Sequence, residues 1–111
     1  MDNLISYAAA KEMIVRYREN YGKIEAPEFK NALSLTETFN VSAFRLLIDQ
    51  PGCVKVRAYH GMKSNNQICL VFVAVNAQDE DMVGMLKGGD DDIIVEDAGF
   101  CPPDCSPTSG F

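Results

Sequence analysis

Tryptophan is missing from this chain, histidine occurs once, and basic side chains are outnumbered, ten lysines and arginines against sixteen aspartates and glutamates. The resulting charge of -6 opposes binding to nucleic-acid phosphates or to anionic lipid, since both need a concentrated positive footprint. Neither nucleic acid nor membrane is an expected partner. Long apolar runs are missing too. The longest, Ile68 to Val75, falls well short of the roughly 18 to 20 residues of a membrane span. The amino terminus has no basic stretch ahead of an apolar core of the kind that marks a secretory signal. The expected setting is the cytoplasm, where thiols are kept reduced, so the four cysteines are free, metal-bound or redox-active before they are structural bridges.

Catalytic motifs are a further absence. No nucleophile elbow, zinc-protease helix, glycine-rich phosphate loop or paired-carboxylate motif occurs, and Gly84 and the Gly88-Gly89 pair match no nucleotide-binding spacing. No catalytic residue is assigned. A general base acting near neutral pH would have to be His60, which at a strand end before a turn reads as a surface residue.

What the chain does have is a globular composition, 47% apolar and 23% charged over 111 residues, enough for one packed core. Residues 1–98 read as a single α+β domain and 99–111 as an irregular Pro/Cys-rich tail. From Asn3 to Tyr21 the apolar positions Tyr7, Ala10, Met13, Ile14, Tyr17 and Tyr21 recur at three- and four-residue steps, which predicts an amphipathic helix. Asp2 or Asn3 caps it, Glu12 and Arg16 pair along it, and Gly22 stops it. Leu33, Leu35 and Phe39 alternate with Ser34, Thr36 and Thr38, a strand pattern broken at Glu37. Ser42 then caps a two-turn helix, Ala43 to Gln50, with Phe44, Leu47 and Ile48 on its apolar face and Pro51-Gly52 at its end.

The strongest local signal is a hairpin. Cys53 to His60 and Gln67 to Asn76 are rich in β-formers, and Gly61 to Asn66 between them tolerates reversal. Both faces of the second strand are apolar, which places it centrally. The first strand sets Val54, Val56 and Ala58 against Lys55, Arg57 and Tyr59. The whole reads as a two-layer α+β fold: two helices on a small, mainly antiparallel sheet of residues 33–39, 53–60, 67–76 and a short piece at 93–96.

The stretch from Phe44 to Tyr59, followed by Leu70 to Asn76, Asp79 to Met82 and the closing Cys101-Pro-Pro-Asp-Cys105, resembles a family of short uncharacterised bacterial proteins. The match runs over roughly residues 33–105. The resemblance implies a helix-strand-helix-hairpin architecture ending in Cys-Pro-Pro-X-Cys, and no activity.

Three features bear on chemistry. Pro102 and Pro103 restrict the chain between Cys101 and Cys105, which leaves half of a zinc shell, a reversible disulfide, or a reduced tail. Cys53 and Cys69 fall some 20 Å apart along the hairpin ladder and cannot join one ion. The acidic groups Asp79 to Asp81 and Asp90 to Asp92 lack calcium-loop spacing and read as solvated charge. Lys55, Arg57 and Tyr59 make either a contact surface for a protein partner or an internal arrangement in which Tyr59 covers a neighbouring strand and Arg57 meets a carboxylate. The preferred function is a small non-catalytic interaction module, its partner another protein or, by pairing of exposed sheet edges, a second copy. The alternative is a thiol-based metal or redox protein at Cys101 and Cys105, and a small enzyme comes third. No cofactor is expected on the first reading; zinc belongs to the second.

Overall fold

The alternating, β-branched segments of the hairpin pair as their pattern requires. In the computed structural model, which describes residues 3–84, 92–107 and 110–111, strands β2 (Lys55–Met62) and β3 (Ile68–Val75) run antiparallel in a register that sets Tyr59 opposite Val71 and Gly61 opposite Cys69. Gly61 and Met62, expected in the turn, extend the strand. The reversal is a five-residue loop in which Asn66 takes a positive φ of 72° and the Lys63 N–H donates to the Gln67 carbonyl at 2.9 Å.

The protein has the α+β architecture expected, with helices α1 (Tyr7–Ile24) and α2 (Val41–Ile48) and two further strands, β1 (Thr36–Thr38) and β4 (Gly99–Cys101). β1 pairs antiparallel with β4, not with the hairpin, so the described residues form two two-stranded sheets. The first three residues of the expected irregular tail are therefore a strand, and Phe100 and Cys101 are buried. The expected strand at 93–96 is a single bridge. Val95 exchanges both backbone bonds with Phe72, at 2.8 and 3.0 Å.

The core lies between α2 and one face of β3. Leu47, Ala74 and Val95 are its buried centre, and Phe39, Phe44 and Phe72 meet edge to face around it, with centroids 5.0–5.6 Å apart, an arrangement favoured by the ring quadrupoles. α2 starts two residues earlier than Ser42 capping predicts, at Val41, with Asn40 as its N-cap. Its inward face is Ala43, Phe44 and Leu47, while Ile48 is half exposed.

α1 starts later and ends later than its sequence signals suggest. The Ser6 hydroxyl accepts the Ala9 N–H at 3.1 Å, a side-chain cap of the first turn, and the helix runs through Gly22 to Ile24. The expected pair of Glu12 and Arg16 forms at 3.0 Å, exposed on both sides. No α1 residue is buried. The helix is held by polar and aromatic contacts at its flanks: Tyr17 OH donates to the Ser34 carbonyl at 2.6 Å, Tyr7 OH donates to the Gly110 carbonyl and stacks on Phe111, and the Glu25 carboxylate accepts the Leu33 N–H at 2.8 Å. Among the described residues no helix is long and apolar enough to cross a membrane.

Candidate functional site

Lys55, Arg57 and Tyr59 share the hairpin face opposite α2, as strand alternation dictates. Their polar ends are engaged within the chain. Beyond β3 the turn 76–80 folds back so that Asp81 bridges Val75. Asn76 organises that turn by accepting the N–H groups of Gln78 and Glu80 at 3.0 Å each. Arg57 reaches across β3 to this segment, with Nη2 at 2.9 Å from Asp79 and Nη1 at 2.5 Å from Asp81. Tyr59 OH donates to the other Asp81 oxygen, and Lys55 meets Asp79 at 3.4 Å. Spanning from β2 to the far side of β3, these side chains lie over Val73 and Val75, which are buried on the face of β3 opposite α2. The phenol bond, then the guanidinium, hold the Asp81 carboxyl below the ordinary aspartate range, and the same bond raises the Tyr59 hydroxyl.

Cys101 and Cys105 are joined in a disulfide, with Cα atoms 4.6 Å apart. The bond occupies both sulfurs, so in this state neither thiolate is left for the zinc shell that the pair suggests. It bridges β4 to the turn immediately after it, where Asp104 N–H returns to the Phe100 carbonyl at 2.8 Å. A loop this short restricts the unfolded chain by only roughly 2 kcal/mol. The two half-cystines differ in exposure: Cys101 is 8% exposed and Cys105 is open to solvent. Both line a cleft of about 770 Å³, together with Arg18 of α1, Thr36 and Thr38 of β1, and Asp97 and Asp104.

The remaining cysteines stand apart, as the hairpin geometry predicts. Cys69 is buried opposite Gly61 and Cys53 half-buried near the start of β2. His60 is exposed on the α2 side of β2 and lines a shallower recess of about 370 Å³ with Tyr17, Ser34 and Glu37. Among the described residues no group of three or more histidine, cysteine or carboxylate side chains is placed to hold a metal. Asp92 instead accepts the Gly84 N–H at 2.8 Å. The Gly88-Gly89 pair and Asp90 and Asp91 lie outside the described residues.

One feature escaped the sequence reading: the two edges of the hairpin differ. Because Lys63 and Gln67 form a hydrogen-bonded pair, the odd-numbered residues of β2 bond β3 and the even-numbered ones point outward. On β3 every outward position is capped. Ile68 N–H donates to the Ala32 carbonyl at 2.8 Å, Leu70 N–H to the Glu37 carboxylate at 3.1 Å and Phe72 N–H to Val95, while the Ala74 carbonyl accepts the Met82 N–H at 2.8 Å. On β2 no described residue bonds the outward groups of Val56, Ala58, His60 or Met62.

Compared with known proteins, the chain matches no family model, no curated protein and no solved structure.

Proposed function

We propose that the protein is a small cytoplasmic interaction module that works by adding a strand to the free edge of β2, and that its partner is a second copy of itself. The observation that carries the reading is the contrast between the two hairpin edges: β3 is capped at four successive outward positions, and β2 has no bonding partner along its outward edge among the described residues. An unpaired strand edge is a template for another strand. Natural proteins shield such edges, and among the described residues only the β3 edge is shielded.

Charge selects the register of self-pairing. Two antiparallel copies related by a two-fold axis normal to the sheet must pair a residue with itself. Centring the axis on Ala58 sets Val56 opposite His60 of the second copy on one face, and Arg57 opposite Tyr59 and Lys55 opposite Gly61 on the other. No like charges then face one another. An axis on Arg57 would oppose two guanidinium groups, and one on Tyr59 would oppose Lys55 to Lys63. The Ala58 register also joins the outward N–H and C=O groups of Val56, Ala58 and His60. It makes a continuous four-stranded sheet with both α2 helices on one face, and the half-exposed Val56, 42% accessible, lies on the floor between them. A strand pair of this length without a large apolar interface supports association at about micromolar or weaker affinity.

Amide exchange against protein concentration tests this. The Val56, Ala58 and His60 amides should exchange fast when dilute and become protected as concentration rises, with β3 amides protected throughout. Protection of β2 that ignores concentration would count against self-pairing.

A further inference from the structure

We propose that the Cys101–Cys105 disulfide is a dithiol-exchange site, in which an incoming thiolate attacks Cys105 from the cleft and Cys101 leaves. The inference is independent of self-pairing at β2, which lies elsewhere on the hairpin.

Three observations carry it. First, the bond ties nothing distant together. Its residues are four apart in sequence, and β4 is held without it by its ladder to β1 and by the Leu35 N–H donated to the Cys101 carbonyl at 2.8 Å. The bond can therefore open while the sheet stays formed. Second, the two sulfur-bearing residues are unequal: Cys101 is buried in β4, whereas Cys105 stands exposed on the turn. In exchange the accessible sulfur takes the nucleophile and the shielded one departs. Third, both line the 770 Å³ cleft, so a reactant has room beside them. In a cytoplasm that keeps thiols reduced, a pair that closes into a disulfide belongs with redox-active cysteines.

The chemistry balances with a dithiol as reductant. One thiolate of the dithiol forms a bond to Cys105 Sγ, the Cys101–Cys105 bond breaks, and its electron pair leaves on Cys101 Sγ as thiolate. The second thiolate of the dithiol then attacks its own mixed-disulfide sulfur and releases Cys105 as thiolate. Both protein thiolates take protons from water. The dithiol is oxidised to a disulfide by two electrons, and the protein disulfide is reduced to two thiols. The substrate class is a dithiol, small or carried on an exposed peptide, and the reverse reaction with its disulfide form restores the bond.

The test uses the intact folded protein in buffers of reduced and oxidised dithiothreitol, trapped by alkylation and read by mass, with circular dichroism alongside. The expected result is that the disulfide opens and closes reversibly with the thiol-to-disulfide ratio while the spectrum is unchanged. Reduction only at denaturant concentrations that unfold the chain would overturn the proposal. The direction of attack is read separately. With oxidised glutathione as probe, the Cys101→Ser variant should form a mixed disulfide at Cys105 at least about tenfold faster than the Cys105→Ser variant does at Cys101. Equal or reversed rates would overturn the assignment. Peptide mapping of the reduced wild-type protein after brief alkylation gives the same comparison should a variant fail to fold.

Discussion

Arg57 and Asp81 are joined across the full width of β3: Arg57 stands on β2 along one edge of the strand, Asp81 is bridged to Val75 along the other, and the guanidinium reaches over to the carboxylate. Together with Tyr59 they roof the face of β3 opposite α2, and Val73 and Val75 are buried beneath. A face that sequence alternation marks as half polar is thus an internal arrangement whose apolar strand lies under charged and aromatic side chains.

The roof makes stability depend on pH at both ends of the scale. Asp81 is held below its ordinary range by Tyr59 and then Arg57. Its contribution is therefore present above the unfolded aspartate value and is lost as pH falls through the depressed folded one. Tyr59 is raised by its bond to Asp81. That contribution is present below the ordinary tyrosine value and is lost as pH rises through the raised one. Urea midpoints followed from neutral pH down below about 4 and up beyond about 10 should fall on both arms. Asp81→Asn should flatten the acid arm, and Tyr59→Phe the alkaline arm. An unchanged acid arm in Asp81→Asn would show that other carboxylates carry it.

Gly61 is fixed by what faces it. A Cβ there would stand 3.2 Å from Cys69 Sγ and 3.4 Å from Val71 Cγ2, both on the adjoining strand. Gly61→Ala should cost about 1–2 kcal/mol as overpacking, and Cys69→Ala combined with it should recover part of that loss. A double-mutant cycle in urea denaturation reads the coupling directly.

Leu47 and Ile48 are sequence neighbours with opposite surroundings, the first fully buried and the second 49% exposed. Leu47→Ala should cost about 2–5 kcal/mol as a core cavity, and Ile48→Ala less than about 1 kcal/mol. Thermal denaturation separates them. Similar losses at both positions would mean that α2 presents a different face to β3.

The contrast on α2 also shows where the sequence is readable. The hairpin, the apolar character of both faces of β3 and the aromatic face of α2 were legible because periods of two and near 3.6 reflect burial directly, whereas among the described residues β3 belongs to a two-stranded sheet and not to the middle of a larger one. Other features depend on chain segments distant in sequence. β4 hides in a Pro/Cys-rich stretch, since only its pairing with β1 makes Gly99–Cys101 a strand. Glu37 looks like a defect in a strand pattern, yet its carboxylate caps the outward N–H of Leu70, thirty-three residues away. The start of α1 went to Ser6 because Asn3 takes a left-handed φ of 61° and the Ser6 hydroxyl reaches the first turn; both residue types are good caps, and local sequence does not rank them. At the candidate site, Lys55, Arg57 and Tyr59 were identifiable as one face, but the turn that brings Asp79 and Asp81 to them was not. The open edge of β2 is a property of what fails to pair with it, and no local pattern encodes that.

Sedimentation velocity over a wide concentration range, on the wild-type protein and on Ala58→Lys, tests self-pairing at β2 most directly. Ala58 is exposed, so a lysine there is tolerated in the isolated chain, yet the proposed two-fold sets two of them face to face. The account predicts reversible dimers of wild type in about the micromolar range or above, and association weakened at least about tenfold in Ala58→Lys, with the thermal midpoint of the dilute chain unchanged. A wild-type protein that stays monomeric at about a hundred times that concentration, or dimers equally stable in Ala58→Lys, would contradict it.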